Sequence, residues 1–183
     1  MNLHDDALDV LGSWTAPDAA QEQHRQRSLA HLEEHPDGMR RECFPAHVTA
    51  GTLVLSHDGQ AVLLNLHRKA KRWFAFGGHC EEKDETLAGV ALREALEESG
   101  LSSLDFIATP VQLDEHAVPF CDPRGTVAHL DVRFVAVAPE GTAHAASDES
   151  LDVRWWPVDR LPEGLEDDMH RLVALARDRV AAR

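Results

Sequence analysis

The chain has 183 residues, 43% hydrophobic and 27% charged, which suits one globular domain, or one domain with an extension, and excludes a mostly disordered chain. Lys plus Arg number 18 against 32 Asp plus Glu, a formal net charge of −14, so neither nucleic acid nor an anionic membrane is expected as a partner. Apolar runs such as residues 61–64 fall far short of the roughly 20 residues that a membrane span needs.

Asp5, Asp6 and Asp9 stand where a signal peptide would be apolar, which predicts a cytoplasmic protein. Cys43, Cys80 and Cys121 are odd in number and widely spaced, so they read as reduced thiols rather than a disulfide framework or a CxxC zinc site. The 12 histidines are scattered, none in HExxH spacing, and read mostly as surface residues.

Residues 1–43 read as a helical extension. Leu3, Ala7, Val10 and Leu11 recur at helical spacing, and Pro17 can start a second helix that His35-Pro36-Asp37-Gly38 stops. The polarity of this segment predicts that it lies on something larger, as packing or as a homodimer contact. Residues 44–183 form the second unit. Residues 48–55 and 61–66 are β-rich runs separated by the turn signal Ser56-His57-Asp58-Gly59. A basic loop with Arg68, Lys69, Lys71 and Arg72 follows, then a short aromatic strand at 73–76 ending in Gly77-Gly78. A helix is expected over 86–99, strands over 104–113 and 127–137, a small polar loop over 139–150, a last strand at 153–156 and a closing helix over 165–180. Strands interleaved with two long helices predict an α/β sandwich with a mixed β-sheet.

The 86–99 helix carries the chemistry. At 100° per residue, Glu94, Glu97 and Glu98 share one face, while Leu87, Val90 and Ala91 lie on the same side one to two turns earlier. Ala88, Leu92, Ala95, Leu96 and Ser99 make a second small or apolar face, so the helix should be covered on two sides. Three clustered acids repel, and partial burial worsens the repulsion. A divalent cation removes it, and clustered carboxylate oxygens are what Mg²⁺ prefers. Gly77-Gly78 lets backbone approach a metal or phosphate without a Cβ in the way. Asp84 or Thr86 can cap the helix, and Arg93 can hold Glu85 or a neighbouring acid by a bidentate pair.

These residues resemble the Nudix hydrolase signature, in which Gly, five residues, Glu and seven residues precede Arg-Glu-U-x-Glu-Glu-x-Gly-U, U being a bulky aliphatic. Glu85, seven residues, then Arg93-Glu94-Ala95-Leu96-Glu97-Glu98-Ser99-Gly100-Leu101 follow it, and Trp73 to Gly78 and Val153-Arg154-Trp155-Trp156-Pro157-Val158 are also similar to the family. The resemblance spans roughly residues 44–183. Six residues rather than five separate Gly78 from Glu85, so either Asp84 takes the role of the loop acid or the loop bulges and Glu85 keeps it. Ala95 is smaller than the family's aliphatic, and Phe76 stands where a proline commonly precedes the glycines.

The resemblance implies an α/β/α sandwich and a hydrolase that cleaves the diphosphate linkage of a nucleoside diphosphate derivative by water attack at phosphorus. It implies Mg²⁺ or Mn²⁺ held by Glu94, Glu97 and Glu98 with the Gly78 carbonyl, and a catalytic set of Glu97, Glu98 and Arg93. One of the glutamates, or Glu149 before the last strand, would serve as general base. Arg68, Lys71, Arg72 and Trp73 are the candidate substrate contacts, while His79 and Cys80 are given structural roles. The competing readings are a Nudix-fold sensor that binds without cleaving and, less well supported because its glutamate helix is degraded, an isopentenyl diphosphate isomerase.

Overall fold

A computed structural model of the chain describes residues 2–148 and 150–183. Its spine is strand β1 (Ala46–Leu55), buried at every position. That burial needs both edges paired and both faces covered, and the run is short on charge for that reason. On one edge β1 pairs in parallel with β6 (Gly125–Val137), from Ala46↔Ala128 to Leu55↔Val137. Two strands share its other edge. β4 (Phe76–His79) pairs antiparallel from Thr49↔His79 to Thr52↔Phe76, and β2 (Ala61–His67) pairs at Val54↔Leu63 and Leu55↔Val62. β3 (Trp73–Phe74) and β7 (Ser150–Pro157) flank β2, and β5 (Asp105–Asp122) lies antiparallel to β6 at the far edge.

The result is a mixed seven-stranded sheet in the order β3-β2-β1-β6-β5, with β4 and β7 off that path. The aromatic strand expected at 73–76 is two short strands, because the chain leaves β2 at Phe74 and transfers to β1 at Phe76. The strand expected at 104–113 continues to Asp122, with register shifts between Ile107 and Gln112 and between Val118 and Asp122.

Side-chain alternation sorts the sheet into faces. On β1, Val48, Ala50 and Val54 pack toward helix α3 (Leu87–Ser99), while Leu53 and Leu55 pack toward helix α4 (Asp167–Ala181). The α4 face is apolar only at that end of the strands. Further along the same face stand the polar residues His47 and Thr49 on β1 and His129, Asp131 and Arg133 on β6, which α4 reaches through Asp168, bonded to Arg133. The site forms there.

α3 starts with the Thr86 hydroxyl accepting from the Gly89 N–H and ends at Gly100, whose φ of 67° puts it in the left-handed region. Its buried side is Leu87, Val90, Ala91, Ala95, Glu98 and Ser99. Residues 3–34 form α1 (Leu3–Ser13) and α2 (Ala19–Glu34), which pack onto this layer. Ala7, Leu11, Trp14 and Leu32 join one core cluster with Leu87 and Val90. The Gln21 amide caps the exposed edge of β5, donating to the Leu113 carbonyl at 2.8 Å and accepting from the Leu113 N–H at 2.6 Å. α2 is therefore polar yet fixed.

The buried Asp6 carboxylate accepts the Leu87 N–H at 2.7 Å, closing the first turn of α3 from another helix. Asp6→Ala strands that N–H and is expected to cost about 1–2 kcal/mol. Asp6→Asn, which keeps an acceptor, should recover most of it. The shift of the urea midpoint measures both.

Candidate active site

One cleft of about 1910 Å³ opens on this polar face, and Gly77, Gly78, Glu94, Glu97 and Glu98 all line it. At Gly77 backbone leaves no room for a side chain, and at Gly78 a side chain would have to displace Glu94. A Cβ on Gly77 would lie 2.7 Å from the Gly51 Cα on β1, and a Cβ on Gly78 would lie 2.7–2.8 Å from the carboxylate of Glu94. The carboxylate thus occupies the space a side chain would take. Glu98 is 7% exposed and accepts the Gly77 N–H at 2.9 Å, so strand and helix are joined at the pair. Glu97 is the exposed member, its side chain 54% accessible at the cleft. Gly78→Ala is expected to displace Glu94 and to lower turnover about tenfold or more, with melting temperature nearly unchanged, as steady-state kinetics and thermal melting will show.

Arg93 organises the acids. Its Nε and Nη2 make a bidentate pair with Asp84 at 3.1 and 2.8 Å, Nη1 reaches Glu94 at 2.9 Å and Glu97 at 3.2 Å, and Nη2 also donates to the His79 carbonyl at 3.0 Å. Asp84, not Glu85, therefore partners the arginine, and Glu85 is exposed. Burial opposes the charge on Asp84, but the bonds from Arg93 and the Glu81 N–H hold its carboxyl below the ordinary value. The bond to Asp84, with the neighbouring Glu94 carboxylate, raises Arg93 above its ordinary value against its burial. All ligand atoms offered by the glutamates are oxygens, and the Gly78 backbone is bare beside them. That donor set fits a hard divalent cation.

A second polar centre forms the floor. Arg133, 6% exposed, bonds Asp131 at 2.8 Å, Asp168 at 2.7 Å, Asp114 at 3.0 Å and the Gln112 carbonyl oxygen at 3.1 Å. Burial works against the charges of Arg133, Asp114 and Asp131. The hydrogen bond from His116 and the charge of Arg133 nevertheless keep the carboxyl of Asp114 below the usual range, Arg133 does the same for Asp131, and Arg133 is itself held charged by these acids. Sequence reasoning missed this network. Its signal was the alternation of His129, Asp131 and Arg133 with Leu130, Val132 and Phe134.

The expected substrate contacts divide. Arg72 lines the cleft and pairs with Glu166. Arg68 instead donates to the backbone carbonyls of Asp148 and Ser150, bracing the start of β7. Lys71 is exposed in a left-handed turn conformation, φ 57°, outside the cleft lining. Trp73 packs edge-on against Trp156 at 5.3 Å and is likewise outside the lining. Lys69 does line it. Glu149 lies outside the described residues.

The reading of the histidines as surface residues fails for His31, His47, His79 and His129. His31 and His47 are buried, and His79 and His129 are partly so. Burial pushes the imidazoles of His31 and His79 down to about 4 and that of His129 to about 3, and lowers His47, so all four are neutral at pH 7. Among the described residues, no helix is long and apolar enough to cross a membrane.

A family model described as NUDIX domain matches residues 45–176. A mouse (Mus musculus) relative named oxidized purine nucleoside triphosphate hydrolase is 32% identical over 124 residues, 61% of this chain and 67% of the mouse protein. Among solved structures, a NUDIX-family hydrolase from Clostridium perfringens superposes with a TM-score of 0.56 at 20% identity, covering 73% of this chain and 97% of its own. A MutT NUDIX hydrolase from Burkholderia pseudomallei does so with a TM-score of 0.53 at 19% identity, covering 71% and 97%.

Proposed function

The chain belongs to the Nudix family as a hydrolase acting on phosphoric anhydride bonds, and from that premise we propose that it cleaves the diphosphate linkage of a nucleoside diphosphate derivative with Mg²⁺ or Mn²⁺ bound at Glu94, Glu97, Glu98 and the Gly78 carbonyl. The observation that carries this reading is the meeting of three glutamates with a side-chain-free strand in one cleft.

The chemistry a bound Mg²⁺ or Mn²⁺ supplies is polarisation of the diphosphate and neutralisation of charge on the leaving oxygen. The protein's own groups do the rest. Arg93 holds Glu94 and Glu97 in place through Nη1, and the Gly77 N–H holds Glu98. A carboxylate of the same set takes the proton of the attacking water. Lys69 and Arg72 at the rim offset the protein's negative field for an incoming diphosphate.

The cleft also suits a base. Phe120, 48% exposed, stacks on His67 at 6.1 Å, and Phe74 stands edge-on to the same ring at 6.3 Å. The buried Asn65 Oδ1 has no hydrogen-bond partner among the described residues and lies in the lining, an acceptor available to an amino group of the ligand. The mouse relative is named for a purine nucleoside triphosphate, and we place nucleoside triphosphates first among candidate substrates. Cysteines with no disulfide among them in the described residues are compatible with a reducing compartment such as the cytoplasm.

A panel of nucleoside triphosphates, nucleotide sugars and dinucleotides, incubated with and without Mg²⁺ or Mn²⁺ and analysed by product mass, tests the proposal. Metal-dependent scission between phosphorus atoms of one panel class is expected. Tight binding of a nucleotide with no turnover under either metal would replace the proposal with the sensor reading.

A further inference from the structure

Beside the glutamates, on the same polar sheet face, four side chains from four strands converge. They are His47 on β1, His79 on β4, Cys121 on β5 and His129 on β6, and their ligand atoms all lie within 4.8 Å of one another. Cys121 Sγ is 3.4 Å from His79 Nε2, 3.4 Å from His129 Nε2 and 3.9 Å from His47 Nε2. The three imidazole centroids are 4.9, 5.0 and 5.1 Å apart, an almost equilateral arrangement. A tetrahedral zinc with Zn–N of about 2.05 Å and Zn–S of about 2.3 Å has N···S edges of about 3.6 Å. The three observed distances bracket that value.

Hydrogen bonding does not account for the cluster. A thiol has one weak donor and a weak acceptor sulfur, yet three ring nitrogens crowd around this one. His47 Nδ1 lies 3.1 Å from the Cys43 carbonyl, and donating there leaves the Nε2 lone pair aimed at the centre, the outer-sphere bond typical of a metal-bound imidazole. We propose that His47, His79, Cys121 and His129 form a tetrahedral site for a soft divalent cation, Zn²⁺ by its donor set, distinct from the oxygen site at the glutamates.

Three imidazoles and a thiolate select zinc over magnesium, and four protein ligands close the coordination shell, as in structural sites. The thiol gives up its proton on binding, RSH + Zn²⁺ → RS–Zn⁺ + H⁺, with no change of oxidation state. The ion ties β5 and β6 to β1 and to β4. His79 follows Gly78 directly, and its carbonyl accepts from Arg93, so the clip fixes the backbone on which the glutamate site is built. Cys121 follows Phe120 and fixes that wall of the cleft. On this proposal His79, expected from the sequence to be structural, is a ligand, and Cys121, expected as a reduced thiol, is the thiolate.

Titration of the metal-stripped, reduced full-length protein with Co²⁺ tests the site without reference to activity. One equivalent should give a thiolate-to-cobalt charge-transfer band in the near ultraviolet and the strong visible bands of tetrahedral cobalt. Zn²⁺ should bleach both, and excess Mg²⁺ should bleach neither. Cys121→Ser should lose the charge-transfer band, while Glu97→Gln should keep the full spectrum, which separates this site from the glutamate site. If the serine variant does not fold, the wild-type titration decides alone. A weak octahedral spectrum without a thiolate band at one equivalent, or a thiolate band that survives in folded Cys121→Ser, overturns the proposal.

Discussion

Glu97→Gln is expected to reduce turnover by on the order of a hundredfold or more, about 2.7 kcal/mol of transition-state stabilisation, while the protein melts within a degree or two of the parent. The two halves of that expectation have different causes. Glutamine keeps the shape and an oxygen but removes the negative charge that a divalent cation needs, so affinity and turnover fall together. The fold is spared because the Glu97 side chain is 54% exposed and its contact with Arg93, at 3.2 Å, is the outermost of that arginine's bonds. Arg93 keeps Asp84, Glu94 and the His79 carbonyl. Glu98→Gln makes the useful contrast. It is buried against the Gly77 N–H, and glutamine can still accept that bond, so activity should fall similarly with a small further loss of stability. Steady-state rates at several metal concentrations, with thermal melts, check both. A Glu97→Gln enzyme with near-normal rate would remove that residue from the site.

The glutamate face was legible in the sequence because it is local. Glu94, Glu97 and Glu98 sit at i, i+3 and i+4, and one helix suffices to bring them together. The glycine pair was legible for a similar reason, although its cause, the Glu94 carboxylate filling the place of a Cβ at Gly78, needs the strand and helix in contact. The choice between Asp84 and Glu85 turned on which carboxylate Arg93 reaches across nine residues of loop and helix, and spacing alone does not decide that.

The rest of the cleft is non-local. Thr49 finds Asp131 through an 82-residue separation, made neighbours by the parallel register of β1 and β6. The same register sets His47 beside His129, while β4 brings His79 to Thr49. In sequence these histidines are isolated, and only the pairing makes a cluster of them. Trp73 was ambiguous because an aromatic beside a basic loop serves equally well as a wall or as core. The ring it packs against, Trp156, arrives on β7 from 83 positions away.

Arg133→Met is expected to destabilise the protein by about 3–5 kcal/mol, a fall of roughly 6–20 °C in melting temperature for a chain of this size. The loss is far larger than that of its methylenes, because methionine fills much of the same space. What goes is a cation shared by Asp114, Asp131 and Asp168, whose carboxylates lie 2.7–3.0 Å from its nitrogens. Left behind are acids facing one another on a buried strand surface, with His116 attached to Asp114.

The pH dependence identifies this cause. In the parent, Asp114 and Asp131 have pKa values below the ordinary 3.8, so their contribution to stability is present above that pH and is lost as pH falls through the folded values. In the variant at least one carboxyl moves above 3.8. The folded state then binds a proton that the unfolded state does not, and its stability rises as pH is lowered from neutrality. The gap between parent and variant should therefore be widest at pH 7–8 and narrow toward pH 5. A gap that stays constant across that range would assign the loss to packing rather than to charge. Arg133→Lys should fall between the two, since one ammonium carries the charge but cannot span three carboxylates and the Gln112 oxygen at once.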